Sequence, residues 1–498
     1  MSFETRLKPK GGTIVEISLI YFPLGKRMYA FNYNGVRGTA IAELKEEDMI
    51  GSKRKRRWWE IKFCNDIFRF DGDPLDDLPY ENYIDNECLL RWINDTNNNE
   101  GDIIEIFCEL KSTLKVCYDF MNEVDYDIAA MFIFQSWFYD LLDAVFYVDI
   151  RSKMGGGKTL LLELFKGLCK NGVLANDISL AAIPRIIDKY GCTLLIDEID
   201  SMGKKDEEIF KVLRAGYKKG NKYIRCKPKT FEDESFDVYS AKAFNYRSDI
   251  PDDLKNRSIP INTNKSADFR LPLISLYKRQ YLIPIYQKIW MFYMNNKISL
   301  EIKVNESKRV LVNKDIDIDK VRLMPISRSL SYSRIAFFYQ NLFTLFTKDE
   351  LNELLDEDFE GWFTKLFANI SGRNIELYAI ILHLSAMLGI NLVNDFKKVM
   401  EEKEEFENYD ETDLKSVLRE ILSARYWEAP YSSSGMKYVP YRDIAKEFIR
   451  KVHDEYGFKP STHEMKKQLR ELGFVDTVSY THPEPTRLLS ISYAVFCL

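Results

Sequence analysis

The 498-residue chain is short of the residues that build metal or disulfide frameworks. Its eight cysteines are scattered without a C-x-x-C pair, and only four histidines accompany them. Structural zinc and a disulfide scaffold are therefore not expected, and a reducing, cytoplasmic setting is. Charge of one sign is also lacking: 71 Lys and Arg against 76 Asp and Glu leave a formal net charge of -5. Any nucleic-acid surface must then be local. The start, "MSFETRLKPKGG", has no apolar core of a signal peptide. Nor is there a long uncharged hydrophobic run, because the most apolar segment, residues 129–148, carries Asp140 and Asp143. It reads as a buried helix followed by a core strand, and no membrane partner is expected. Internal repeats and low-complexity tracts are absent too. What remains is a chain with 46% hydrophobic residues and room for about three domains at roughly 150 residues each.

Short alternating runs between residues 13 and 70 ("TIVEISLIYF", "RMYAFNYNG", "TAIAEL", "WWEIKFCNDIFRF") predict a β-rich module over residues 1–88. The acidic, proline-containing "DGDPLDDLPYENYIDNE" reads as the linker that ends it. Within the module, "KRKRRWW" sets five cations beside two tryptophans. That pattern fits either a single-stranded nucleic-acid surface or a solvated hairpin end. Residues 89–265 begin with helical spacing and then alternate helices and strands, the pattern of a parallel sheet with helices on its faces. Residues 266–405 read as mostly helical, and residues 406–498 as a last small module.

The chemistry concentrates in "VDIRSKMGGGKTLLLELFKGL". Phosphate binding requires backbone N–H groups aimed at the anion, a helix N-terminus behind them and a lysine for the outer phosphates. Gly155, Gly156 and Gly157 supply the close backbone, Lys158 the cation for the β and γ phosphates, and Thr159 a hydroxyl for Mg²⁺. Ser152 replaces the first glycine of the usual G-x-x-x-x-G-K-T, at a position that only starts the turn. About forty residues on, "CTLLIDEID" is an apolar strand ending in acids. Asp197 is placed to hold Mg²⁺ and Glu198 to activate the attacking water. A third strand, "DVYSAKAFNY", ends at Asn245, which suits hydrogen bonding to that water or to the γ-phosphate. Arg257, twelve residues later, has two readings. One is an arginine that reaches the transferring phosphate of a neighbouring subunit; the other is a surface arginine paired with Asp252 or Asp253.

With "MGGGKT", "CTLLIDEID", "VLRAGYKKGNKYIRC" and "LKNRSIPI" in view, residues 129–265 resemble the AAA+ ATPase module of superfamily 3-like helicases from replication proteins of archaeal plasmids and viruses. The resemblance covers about a third of the chain. It implies an α/β P-loop core, Mg²⁺-ATP hydrolysis, a homo-hexameric ring and movement along single-stranded or forked DNA in the host cytoplasm. It also implies, by position, that Asn245 is the sensor residue and Arg257 the arginine finger. Two rival readings keep the ATPase core but not the helicase: a loader, remodeller or packager that does not unwind, and a DNA-binding initiator that uses nucleotide only as a control.

Two further regions are candidates for touching DNA. "KKGNKYIRCKPKTFEDESFDVYSAKAF" reads as strands over residues 222–226 and 236–244 joined by a turn, with Lys227 and Lys229 near the tip. In the family such a hairpin enters the ring channel; the alternative is a solvated hairpin with ordinary charges. At the C-terminal end, Ile444, Phe448 and Val452 form a helical stripe, and Ser461 with Glu464 forms an S-x-x-E box that opens a second helix. Two strands then flank "YTHPEPTR". Helix, turn, helix and wing resemble a winged-helix domain presenting Lys466, Lys467 and Arg470 to a groove; such domains also serve as protein-contact modules.

Overall fold

The alternating residues of the first 70 positions fold as eight strands in two four-stranded sheets. One sheet has the order β1-β8-β7-β6, from β1 (Glu4–Leu7), β6 (Glu43–Asp48), β7 (Lys55–Phe63) and β8 (Asp66–Phe70). The other, β2-β3-β4-β5, comprises β2 (Gly12–Ile14), β3 (Leu19–Gly25), β4 (Met28–Tyr33) and β5 (Val36–Ile41). Their inward residues, Leu19, Tyr29 and Phe31 from one and Leu7, Ile61 and Phe68 from the other, share one core, so the two sheets pack face to face. The computed structural model describes residues 4–8, 12–14, 18–49, 55–70, 72–95, 102–152, 156–175, 181–199, 206–226, 233–246, 250–263, 271–310, 370, 372–407, 417–418, 421–422, 438–456, 465, 474–477 and 488–491.

The basic run falls on β7 and is matched by the acids of β6. Arg57, Arg56 and Lys55 stand opposite Glu46, Glu47 and Asp48, and Arg57 Nε lies 2.7 Å from Glu46. The indoles are engaged as well. Trp58 Nε1 donates to Glu60 at 3.0 Å and Trp59 Nε1 to Asp73 at 2.9 Å, while Arg69 and Arg27 cover their rings. Cross-strand charge pairing and occupied ring faces fit the hairpin reading; Lys53 and Arg54 lie outside the described residues. The acidic stretch that follows is no free linker. Leu75 and Tyr80 are buried, Leu75 N donates to Tyr29 Oη at 3.0 Å, and Asp85 caps a helix by accepting from Cys88 N at 2.7 Å. Leu75 and Asp76 tie it to the sandwich, through Tyr29 and Arg27, while Tyr80 packs against Tyr190.

That helix, α1 (Asn86–Asn94), is followed by α2 (Ile103–Cys117) and α3 (Glu123–Phe138). Residues 126–138 of α3 are buried throughout, as the apolar run predicts. Among the described residues no helix is long and apolar enough to cross a membrane. The chain then builds a five-stranded, all-parallel sheet from β9 (Tyr147–Ser152), β10 (Gly172–Leu174), β11 (Thr193–Ile196), β14 (Lys242–Asn245) and β15 (Ser258–Thr263). Its connections include α4 (Lys158–Leu168), α5 (Ile183–Tyr190), α6 (Asp206–Ala215) and α7 (Asp252–Lys255). Between α6 and β14 a small antiparallel hairpin pairs β12 (Tyr223–Cys226) with β13 (Asp233–Phe236).

The strand predicted over residues 236–244 is thus divided. Asp237 accepts from Tyr239 N at 3.2 Å, a local turn that interrupts the extended chain before β14 begins. The sheet order is β10-β11-β14-β9-β15. The fold is a mixed α/β arrangement whose parallel sheet is compatible with a P-loop core.

Two long helices follow, α8 (Leu271–Val310) and α9 (Gly372–Leu388), at the two most apolar parts of the region expected to be helical. Trp290 and Tyr293 of α8, Trp137 of α3, Trp92 of α1 and Phe22 of β3 are all fully buried and form one aromatic layer. The β-sandwich, the sheet and α8 therefore belong to one compact unit, residues 1–246 with 251–398, rather than to separate modules. A further helix, α10 (Val393–Glu407), follows in the chain. The second unit, residues 247–250 with 399–498, contains β16 (Tyr438–Pro440), α11 (Tyr441–Tyr456), β17 (Phe474–Thr477) and β18 (Leu488–Ile491). Its strands pair antiparallel in the order β16-β18-β17, and Ile444, Phe448 and Val452 form the buried stripe of α11. Lys466, Lys467, Arg470 and the capping box of their helix lie outside the described residues.

Candidate functional site

In a parallel sheet every strand delivers its C-terminal end to the same edge, so that edge collects the loops of β9, β11 and β14. β14 lies between the other two, with Phe244 beside both Ile196 and Asp149. The glycine loop leaves β9 on one side, the acids leave β11 on the other, and Asn245 ends the strand between them.

Ser152 is the last residue of β9 and pairs with Thr263, so it has ordinary strand backbone and needs no glycine. Gly157 does: it caps α4 at φ 79°, in the left-handed region. A Cβ there would also come within 3.1 Å of the Tyr118 hydroxyl. The free N–H groups at the start of α4 face the same edge as the acids. Gly156 is described beside Gly157, whereas Gly155 lies outside the described residues.

Four predicted residues meet in one network. Thr159 Oγ1 donates to Asp197 Oδ2 at 2.8 Å. Asn245, fully buried, donates from Nδ2 to Asp197 Oδ1 at 2.6 Å and accepts at Oδ1 from Glu198 N at 2.7 Å. A backbone N–H can only donate, which fixes the amide's orientation. Asn245 thus bonds both acids directly. Glu198 has φ 55°, a left-handed backbone that costs a non-glycine residue on the order of 1–2 kcal/mol. The Asn245 bond helps to hold it. Lys158 Nζ donates to Tyr246 O at 3.3 Å, which sets the ammonium over the end of β14.

Arg257 is not brought to this edge. It precedes β15, and its carbonyl accepts from Tyr147 N at 2.9 Å, at the opposite end of β9 from the loop. The separation is one six-residue strand, roughly 20 Å. Its Nη1 donates to Asp253 O and lies 3.1 Å from Asp253 Oδ2, and its guanidinium stands 5.5 Å from the Tyr217 ring centroid. Arg214 also binds Asp253, from Nε at 2.5 Å, and with Arg257 holds that carboxyl below its ordinary range. The Asp253 pairing weighed from the sequence is present. Lys227 and Lys229 lie outside the described residues. The hairpin strands behind them are stapled by Arg225, whose Nε and Nη2 reach Glu234 at 3.1 and 2.9 Å.

One residue of the site was not foreseen. Tyr118, the C-cap of α2, donates its hydroxyl to the carbonyls of Gly156 (3.4 Å) and Gly157 (3.3 Å). Burial pushes that phenol up to about 12, so it stays a donor. A lone tyrosine after a helix carries no sequence signal for this role.

Neither a described protein family nor a curated protein sequence matches the chain. Among solved structures, JCV Helicase, crystallised with a synthetic acetamide, is similar over 61% of this chain and 77% of that one. The likeness has 12% identity and a TM-score of 0.21, so what the chain does is read from its own residues.

Proposed function

We propose that the chain is an ATP-driven motor acting on DNA, a ring-forming helicase of the AAA+ type. The observation that supports this is the clamp of Thr159, Asp197, Asn245 and Glu198 beside the Gly157 cap. A nucleotide-binding protein without turnover has no use for a second acid held in a costly backbone conformation. The donor set fits the ligand: a threonine hydroxyl touching a carboxylate is the small oxygen set that Mg²⁺ takes when phosphates and waters complete its shell. Mg²⁺-ATP, when bound, supplies the scissile phosphoanhydride and neutralises its charge. Gly155, Gly156, Gly157 and the α4 N-terminus would cradle the phosphates, and Lys158 would leave Tyr246 O for the outer ones. Thr159 and Asp197 would hold the metal. Glu198 takes the proton of the attacking water, with Asn245 fixing its aim. Arg257, a strand's length from its own loop, serves a neighbouring subunit of a hexameric ring. The hairpin carrying Lys227 and Lys229 follows the DNA backbone, and Lys466, Lys467 and Arg470 of a winged-helix domain add a second contact.

The test is ATP turnover with and without single-stranded DNA, together with strand separation on a forked duplex. No turnover by the wild type sinks the reading. Turnover without strand separation moves the chain to the loader or remodeller class. Glu198→Gln is expected to bind nucleotide without hydrolysing it; wild-type turnover in that variant removes Glu198 from the role of base.

A further inference from the structure

Lys242, the first residue of β14, is fully buried, between β9 and β11 in the middle of the sheet. Burying an ammonium is costly unless hydrogen bonds replace its water, and an apolar side chain would fill a central strand at no such cost. The bonds it makes show what the lysine holds. Its Nζ donates to Val238 O at 2.8 Å, Ser240 O at 2.9 Å, Gly216 O at 3.3 Å and Ser240 Oγ at 3.3 Å. It also stands 5.2 Å from the ring centroid of Tyr147, at the start of β9.

These partners lie on both sides of the β12–β13 hairpin. Gly216 follows α6 and opens the leg that enters it; Val238 and Ser240 lie on the leg that returns. The fit is tight: a Cβ on Gly216 would stand 2.3 Å from Val238 O and 2.4 Å from Lys242 Nζ. Beyond Gly216, the entering leg is tied to the chain just ahead of β9, with Val145 N donating to Tyr217 O at 3.1 Å and Lys219 N to Asp143 O at 2.9 Å. Three residues after Lys242, the same strand ends in Asn245, which holds Asp197 and Glu198. One buried ammonium thus joins both legs of the hairpin to the strand that orients the acid pair.

We propose that Lys242 is a positioning residue that couples the β12–β13 hairpin to the Asp197–Glu198 pair, so that DNA engaged by the hairpin is sensed at the ATP site. This rests on the DNA-motor reading above. The contacts supply a contiguous rigid path; coupling through it is a free-energy question that only paired measurements answer.

ATP turnover of the full chain is measured for wild type, Lys242→Met and Ser240→Ala, each with and without single-stranded DNA. Lys242→Met is expected to retain DNA-free turnover while its stimulation by DNA falls by about fivefold or more. Ser240→Ala, which removes only the 3.3 Å hydroxyl contact, is expected to lose about half of the stimulation. Full stimulation in Lys242→Met overturns the proposal, and so does a proportional loss of turnover with and without DNA, which a merely structural lysine would give. Should Lys242→Met show no cooperative melting transition, Ser240→Ala decides alone: reduced stimulation upholds the coupling and wild-type stimulation overturns it. A wild type that hydrolyses ATP but ignores DNA refutes the motor reading itself, before any variant is compared.

Discussion

Replacing Asn245 by aspartate changes one atom type and almost no volume, yet it strikes the centre of the clamp. The new side chain still accepts from Glu198 N, but it no longer donates to Asp197, 2.6 Å away. Two carboxylates at that distance repel by about 6 kcal/mol at an effective dielectric of about 20. Keeping one proton on the pair at neutral pH costs about 4 kcal/mol, the distance from an ordinary aspartate. Repulsion is the larger, so the pair keeps a proton through neutral pH, and the protonated side chain can donate where the amide did. The carboxyl pKa is raised in the folded protein, so the native clamp survives in acid and fails as pH rises past neutrality. In metal-free buffer Asn245→Asp should therefore approach wild-type stability near pH 6 and fall about 2 kcal/mol below it in alkaline buffer, the loss of a charge-assisted bond. The assay is urea unfolding of both proteins without Mg²⁺ from pH 6 to 9, plotted as a difference. A difference that does not change with pH refutes the clamp as described.

Gly157→Ala forces an alanine to φ 79° beside the Tyr118 hydroxyl, and should lower stability by about 1–2 kcal/mol in urea titrations and weaken nucleotide binding about tenfold or more. Burial pushes the Lys242 ammonium down to about 7, below its value in the unfolded chain, so the unfolded state binds more protons between pH 7 and 10. Stability should accordingly rise with pH across pH 7 to 9, and fall as pH drops toward 7; Lys242→Met should flatten that slope in urea melts, and parallel slopes would count against it. Arg257→Ala subunits mixed with Glu198→Gln subunits should recover ATP turnover that neither has alone, and no recovery would count against a site shared between neighbours.

What was legible in the sequence was the placement of residues held in short runs. Gly156, Gly157, Lys158 and Thr159 are read from one loop, Asp197 and Glu198 from the end of one apolar strand, and the stripe of α11 from helical spacing. Ser152 was read as starting the turn; it is instead the last residue of β9, paired with Thr263, where strand backbone needs no glycine. Contacts between distant segments were not legible. β1 joins β8 as a parallel partner some sixty residues away, and no local pattern marks it. Leu75 and Tyr80 turn an acidic linker into a strap through burial that their neighbours disguise. Tyr118 serves the loop from 38 positions upstream. Lys242 left a faint mark, a lysine within the apolar "SAKAF", but only the fold shows that three carbonyls wait for it.

The strand order explains why these unforeseen residues matter more than their number suggests. β14 is inserted between β9, which leads to the glycine loop, and β11, which ends in the acid pair. One path between these and the hairpin runs along β14, which has a lysine at its first residue and an asparagine at its last; α5 also meets the hairpin, through Arg185 with Glu234 and Asp188 with Asp237 N. Lys242 and Asn245 are both fully buried and bonded to neighbouring segments at each end of a four-residue strand. The contacts at the two ends of this strand join the hairpin base to Asn245, and through it to the backbone of Glu198. In the proposed ring the same sheet carries Arg257 on its opposite edge, so one rigid slab would connect a subunit's own phosphates, its hairpin and its neighbour's phosphates. Of the polar residues buried in that slab, Lys242 is then the one whose substitution should separate hydrolysis from its response to DNA, whereas Asn245 acts on hydrolysis itself.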